Sequence, residues 1–233
     1  MLRNERTGDC GFFNTDTHEL FEANKLTQPR DWIYRSARVN YTFNSLGYRC
    51  PHEFDQFDLT QCVLMFGCSI TLGVGLDNAQ TIPHQLFKLI NRPVINLGIA
   101  GASAMHLWAL TTQLINQGAS PYACIYLWPG VNRLALFQSN DYHEALGPWA
   151  PKMLGPWAEE HHAEVYFKMA KDSVSQQWSQ RTRVRHWTWN EYAQTIGGNF
   201  AGVLPPVTDY ARDLVHPGID SALTWAQILS KGL

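Results

Sequence analysis

Three short runs of apolar residues, each followed within two positions by glycine or proline-glycine, mark the middle of the chain. They cover residues 62–66, 93–96 and 123–128. A strand that is buried on both faces is apolar at nearly every position, so these runs predict neighbouring strands of a parallel sheet. Between them, residues 82–90 and 104–115 repeat apolar side chains at helical spacing. The alternation predicts an α/β protein with helices on both faces of the sheet.

The later half of the chain is less regular. Residues 135–157 are rich in Pro, Gly, Trp and His and predict a long loop. A helix over residues 159–178, a fourth strand over 183–189 and a C-terminal helix over 221–229 are predicted to follow. In such a sheet, ligands bind beyond the carboxyl ends of the strands, where the glycine-rich loops meet.

Two regions make up the predicted domain organisation. Residues 1–58 have weak periodicity apart from a strand-like run at 39–43 and the turn-prone stretch after it, and they predict an N-terminal extension that packs on the sheet. Residues 59–233 carry the regular α/β pattern and predict the main domain.

Composition narrows the class of protein. Hydrophobic residues make up 45% of the chain and charged residues 16%, which excludes a disordered protein. The formal net charge of −2 argues against a nucleic-acid partner. Residues 1–13 are too charged for a signal peptide and no apolar run approaches 18 residues, so we expect a cytoplasmic protein with no membrane partner.

Cysteine spacing gives no sign of a disulfide framework or a metal site. The five cysteines form no C-x-x-C pair, and two of them lie within apolar strand-like runs. We therefore expect free thiols, mostly buried, and no bound metal.

A candidate nucleophile follows the first buried strand. Ser69 lies between Gly67 and Gly73, at a point where a strand passes into a helix and amide N–H groups favour developing negative charge. The alternative is that Ser69 only caps the helix. A serine nucleophile needs a base, and the base needs an orienting partner.

Near the C-terminus, Asp213-Leu-Val-His216 offers both partners. At this spacing on a turn, the carboxylate can hold the imidazole Nδ1–H and leave Nε2 free to accept a proton from serine. Taken alone, the pair fits a helix-start aspartate beside a surface histidine better than it fits a catalytic pair.

Two further residues are candidate donors for a tetrahedral oxyanion. Gly101 follows the second predicted strand and can offer its backbone N–H, and Asn132 follows the third and can offer its side-chain amide. Separately, each is also an ordinary turn residue.

The four segments occur in the order that identifies a known family. The chain resembles the SGNH (GDSL-like) hydrolases in these segments and in their order. The matching blocks are Gly67-Cys-Ser69-Ile-Thr71-x-Gly73, Asn96-x-Gly98-x-x-Gly101, Gly130-Val-Asn132 and Asp213-x-x-His216-Pro-Gly218. The resemblance spans residue 62 to the C-terminus. It departs from the family pattern at Cys68, where aspartate is usual, and at Arg133, where aspartate is frequent. We interpret Cys68 as a packed apolar side chain rather than a thiol nucleophile.

The resemblance implies a flavodoxin-like three-layer α/β/α sandwich and a serine esterase without metal or organic cofactor. Ser69, Asp213 and His216 would form the catalytic triad, and the Ser69 N–H, Gly101 and Asn132 the oxyanion hole. The implied substrates are acyl esters, often acetyl groups on carbohydrate. An acyltransferase with the same triad and a carbohydrate-binding module without chemistry are the alternatives.

Tryptophan supplies a further hypothesis about the substrate. Nine tryptophans are many for this length, and their faces suit sugar rings, although tryptophan is more often a core residue. Trp128 lies beside the predicted oxyanion loop and is the best candidate for a substrate contact.

Overall fold

Five parallel strands form the centre of the protein in a computed structural model that describes residues 6–137, 143–149, 160–231 and 233. The strands of the whole described chain are β1 (Gly8–Cys10), β2 (Tyr41–Phe43), β3 (Val63–Gly67), β4 (Val94–Gly98), β5 (Ala123–Trp128), β6 (Leu134–Phe137), β7 (His143–Leu146), β8 (Arg183–Thr188) and β9 (Gly202–Val203). The helices are α1 (His18–Thr27), α2 (Ser69–Leu72), α3 (Ile82–Ile90), α4 (Ala104–Asn116), α5 (Glu160–Trp178), α6 (Glu191–Gly197) and α7 (Ile219–Ser230).

The central sheet has the order β4-β3-β5-β8-β9, and every neighbouring pair is parallel. Numbered along the chain, this is the order 2-1-3-4-5 of flavodoxin-like folds. The order reverses between β3 and β5, and ligands bind at such a switch point, beyond the carboxyl ends of the strands. The predicted α/β class is confirmed, and the loop after β3 lies at the place where a site is expected.

Alternating side chains of the inner strands fill two separate cores. Phe66 and Tyr126 lie on one face of the sheet, where their rings stack with centroids 4.3 Å apart, and Met65 and Ile125 lie on the other. Helices α4 and α5 cover the first face, and α3 and α7 cover the second. Both faces are therefore buried, which explains why β3 and β5 are apolar at consecutive positions.

The N-terminal part is tied to the main domain by a buried ion pair. Asp16 accepts hydrogen bonds from Arg212 Nε (2.8 Å) and Nη2 (2.7 Å) and from the Tyr41 hydroxyl (2.5 Å). The same hydroxyl accepts the Gly75 N–H at 2.7 Å. Asp16 thereby links the N-terminal segment to strand β2, to the loop after α2 and to the loop that precedes α7.

Several elements differ from the sequence-based prediction. Residues 134–137 and 143–146 form a β-hairpin within the stretch predicted as a loop, of which residues 138–142 and 150–157 lie outside the described ranges. Strand β9 and helix α1 had no predicted counterpart. All five cysteines are free, and four of them are buried, as predicted. In the described part of the chain, no helix has the length and apolarity needed to cross a membrane.

Candidate active site

Ser69 is the first residue of helix α2, immediately beyond the carboxyl end of β3. The helix lies close to the sheet at Gly98. A Cβ at this position would lie 2.3 Å from the Leu72 nitrogen, so the absence of a side chain permits the close approach. Ser69 is 7% exposed. Its N–H belongs to the first turn, where α-helical amides have no intrahelical acceptor. The strand-to-helix turn therefore presents a hydroxyl and a free amide at the same point.

The loop before α7 brings a histidine and an aspartate to this hydroxyl. Asp213 Oδ1 accepts the N–H groups of Val215 and His216, both at 3.1 Å, which closes a tight turn. Leu214, inside the turn, has φ +56°, a left-handed conformation that costs a non-glycine residue roughly 1–2 kcal/mol. The local sequence thus folds back so that the imidazole faces its own aspartate.

Ser69, His216 and Asp213 form one continuous hydrogen-bonded chain. His216 Nδ1 lies 2.6 Å from Asp213 Oδ2, and His216 Nε2 lies 2.8 Å from Ser69 Oγ. A carboxylate accepts only, so Nδ1 carries the proton and Nε2 presents its lone pair to the serine hydroxyl. This is the tautomer that a general base for serine requires.

Asp213 remains ionised in this setting. Burial alone would raise the pKa of its carboxyl group, but the hydrogen bond and charge of His216, together with a 2.7 Å hydrogen bond from Thr15 Oγ1, outweigh burial and lower the pKa. Asp213 is 2% exposed. A buried carboxylate held as the anion favours the imidazolium that forms when His216 takes a proton.

A cavity of about 430 Å³ opens above the Ser69 hydroxyl. Its wall combines Ser69 and His216, small side chains, two residues of the N-terminal segment and a guanidinium beside an indole. The lining residues are Asn14, Thr15, Ser69, Ala100, Gly101, Arg133, Ala145, Trp149, Val215 and His216. A substrate that enters this cavity meets the nucleophile directly.

Gly101 lies in the cavity wall with φ +72°, in the left-handed region that favours glycine. A Cβ here would lie 3.0 Å from Ala145 Cβ and 3.3 Å from Trp149 Cζ2. Among the described residues no acceptor pairs with the Gly101 N–H. Its backbone therefore faces the same cavity as Ser69, as an oxyanion donor must.

The structure does not bring Asn132 into this cavity. Its exposed side chain lines a neighbouring cavity of about 130 Å³ together with Asn190 and Tyr192. The next residue, Arg133, lines the cavity above Ser69 instead. The oxyanion role predicted for Asn132 stays a prediction that requires a movement of this turn.

Trp128 lies in the core rather than at the cavity. It is 0% exposed, packs edge-on against Phe167 and donates its Nε1–H to His186 Nδ1 at 3.0 Å. A side chain that is enclosed in this way has no surface for a ligand, so the substrate contact predicted for Trp128 is corrected. Among the tryptophans that the structure describes, Trp149 lines the cavity and is 53% exposed, so its side chain is available to a substrate.

The main contact that sequence reasoning missed is Thr15. Its hydroxyl reaches Asp213 from the other end of the chain, and its neighbour Asn14, with φ +59°, also lines the cavity. No local pattern marks these residues. The positive φ at an asparagine is the one unusual backbone feature, and a sequence does not reveal it.

In another serine–histidine pair the hydrogen bond runs in the opposite direction, from histidine to serine. His186 Nε2 lies 2.8 Å from Ser175 Oγ, but His186 Nδ1 accepts the Trp128 N–H, so the proton must be on Nε2. Burial and the charge of Lys171 lower the pKa of His186 to about 3. The pair lacks a base for Ser175. Within the described ranges, no three His, Cys, Asp or Glu side chains cluster as metal ligands.

Comparisons with known proteins give structural likeness at low identity. Neither a family model nor a curated protein matches the chain. It is similar to a lipolytic protein of the G-D-S-L family from Desulfitobacterium hafniense (12% identity, 74% of this chain and 99% of that one, TM-score 0.48). It is also similar to the acetyl xylan esterase Axe2 from Geobacillus stearothermophilus (16%, 74% and 94%, TM-score 0.49). A third is a family two carbohydrate esterase from Clostridium thermocellum in complex with cellohexaose (11%, 74% and 63%, TM-score 0.49).

Proposed function

We propose that the protein is a serine esterase that hydrolyses short-chain acyl esters, with acetylated carbohydrate as the substrate class. The observation that carries the proposal is the chain from Asp213 through His216 to Ser69, which ends at the floor of an open cavity. The four sequence blocks that resemble SGNH hydrolases supply the same three residues.

Acylation would start at the Ser69 hydroxyl. His216 Nε2 takes the hydroxyl proton while Oγ attacks the ester carbonyl carbon, and the carbonyl oxygen becomes an oxyanion. The tetrahedral intermediate then collapses, the bond to the alcohol breaks, and His216 gives its proton to the departing alcohol oxygen. Asp213 keeps the imidazole oriented and balances its positive charge throughout.

Deacylation would repeat these steps with water. His216 takes a proton from water, the hydroxide oxygen attacks the acyl carbon, and Ser69 leaves with the proton returned by His216. The products are a carboxylic acid and free enzyme. Every proton passes through Nε2, which is the nitrogen that faces Ser69 at 2.8 Å.

The oxyanion hole in this proposal consists of the Ser69 and Gly101 N–H groups, with the Asn132 amide as a third donor. Ser69 and Gly101 line the same cavity. Asn132 would reach it only after the turn at residues 130–132 moves. Removal of one oxyanion donor lowers turnover by about 10²–10³-fold in serine hydrolases, so Asn132→Ala tests whether this movement occurs.

The cavity wall favours a small acyl group on a cyclic alcohol. Ala100, Gly101 and Ala145 have small side chains or none, and they leave space beside Ser69 for a short acyl chain. Trp149 offers a half-exposed aromatic face at the same cavity, and such faces suit sugar rings. These two features support a short acyl ester of a carbohydrate.

The test is product analysis on an acetylated xylo-oligosaccharide, with and without an added acceptor sugar. We expect free acetate as the main product from the wild type and from Ser175→Ala, which removes another serine that is hydrogen-bonded to a histidine. Ser69→Ala should release none. A dominant product of acyl transfer to the acceptor sugar would show that the protein is an acyltransferase rather than a hydrolase. Binding of the oligosaccharide without any product would indicate a carbohydrate-binding module.

A further inference from the structure

Arg133 supplies the one permanent charge among the described residues that line the cavity above Ser69. The other lining residues are neutral apart from the titratable His216, and none is aspartate or glutamate. The carboxylate of Asp213 lies behind His216 and is 2% exposed. On the described part of the wall, a ligand in this cavity therefore meets a positive charge.

The Arg133 guanidinium makes only weak contacts with the rest of the protein. It lies over the Trp149 ring, 5.3 Å from the centroid, and Nη1 donates to the Ala102 carbonyl at 3.5 Å, the outer limit of a hydrogen bond. Among the described residues no carboxylate lies within ion-pair distance of it. A guanidinium has five N–H donors, so most of them remain available to a ligand.

The position of the guanidinium is set by packing rather than by a countercharge. Trp149 contacts the guanidinium and also lies close to Gly101, since a Cβ at Gly101 would lie 3.3 Å from the indole. The Ala102 carbonyl is one residue from the Gly101 amide. The cation is thus held beside the place where the ester carbonyl would be bound.

We propose that the site selects acylated sugars that carry a carboxylate, that is, esters of uronic acids, and that Arg133 binds this carboxylate. The inference rests on the esterase function proposed above. A planar carboxylate matches the guanidinium fork with two parallel hydrogen bonds and carries the single negative charge that one arginine balances. Arg133 would therefore determine substrate specificity.

The experiment compares kcat/KM for an O-acetylated methyl glucuronoside with that for the O-acetylated methyl glucoside, which lacks only the carboxylate. Charge-assisted hydrogen bonds of this kind correspond to roughly 10- to 100-fold in kcat/KM, and we expect the wild type to prefer the uronate by that factor. In Arg133→Gln the ratio should fall towards one. Arg181→Gln, which removes an exposed arginine, is the matched control for net charge and should keep the wild-type ratio.

Three outcomes would overturn the specificity role. The first is a wild-type ratio near one, and the second is an equal loss on both substrates in Arg133→Gln, which would make Arg133 an oxyanion donor. The third is a stronger preference for an acetylated sugar sulfate, which would exclude the carboxylate as the recognised anion. Turnover of p-nitrophenyl acetate separates the two proposals, because a wild type that fails on this neutral ester as well overturns the esterase function itself.

Discussion

Thr15 and Asp213 are 198 positions apart, and their side chains meet in a 2.7 Å hydrogen bond at the carboxylate oxygen that also faces His216. The N-terminal segment therefore takes part in the candidate active site. The Thr15 hydroxyl donates to the charged form of Asp213 and helps to keep the pKa of that carboxyl low.

Replacement of Thr15 tests this positioning role. Thr15→Val keeps the shape but removes the donor, and we expect kcat to fall by about tenfold, the value of one hydrogen bond to a charged group. The pKa of Asp213 should rise, which an NMR titration of the carboxyl group measures. Thr15→Ser, which restores the hydroxyl, should recover both kcat and the low pKa of Asp213. A purely structural role would leave the pKa of Asp213 unchanged.

Gly101 and Gly118 form a matched pair for the oxyanion loop. Both have positive φ, +72° and +80°, but a Cβ on Gly118 meets nothing within 4 Å, whereas one on Gly101 meets Ala145 and Trp149. Each alanine variant should lose roughly 1 kcal/mol of unfolding free energy from the backbone alone. Only Gly101→Ala should also reduce kcat. Equal kcat values in the two variants would remove Gly101 from the proposed oxyanion hole.

The Asp16–Arg212 pair should dominate the attachment of the N-terminal segment. Its side chains are only 1% and 5% exposed, so Asp16→Asn leaves a buried guanidinium without its countercharge. The expected loss of unfolding free energy is about 3–5 kcal/mol, measured by urea denaturation. Glu22→Gln is the control, because Glu22 and Lys25 are exposed by 46% and 30% and such pairs contribute at most about 1 kcal/mol. Similar losses in the two variants would contradict the account.

His186 should make the fold sensitive to acid. Its pKa is lowered from 6.5 to about 3, so below pH 6.5 the unfolded chain takes up a proton that the folded protein still refuses. The stability that neutral His186 contributes is fully present above pH 6.5 and is lost as the pH falls towards 3. The free energy of unfolding should change by at most about 1.4 kcal/mol per pH unit in this range. His186→Gln should flatten this part of the curve, and His52→Gln, at an exposed position, should not. An unchanged slope in His186→Gln would exclude the buried neutral histidine as its origin.

The inner part of the fold was predictable because its physical signal is local. Strands β3 and β5 are buried on both faces, so their apolar runs stand out, and helix α3 carries a regular apolar stripe. Helix α1 lacked that signal, since its one buried residue is Asn24, which donates to the Arg212 carbonyl at 3.0 Å. A helix held by a polar contact to a distant loop cannot be recognised from hydrophobic periodicity.

The same distinction applies to the candidate site. Ser69 and the Asp213–His216 turn lie in short motifs, and the structure brings all three side chains together. The directions of side chains at the ends of strands were not predictable. Trp128, the last residue of β5, points into the core, and at the following turn Arg133 rather than Asn132 lines the cavity. Spacing along the chain does not specify which way a turn residue points.

The most direct test of the central claim is the site of labelling by a fluorophosphonate, which reacts with an activated serine. Peptide mass spectrometry should find the phosphonyl group on Ser69 in the wild type and in Ser175→Ala, and none in Ser69→Ala or His216→Ala. If Ser69→Ala is labelled to the same extent as the wild type, or the wild type is not labelled at all, Ser69 is not the nucleophile of a serine esterase.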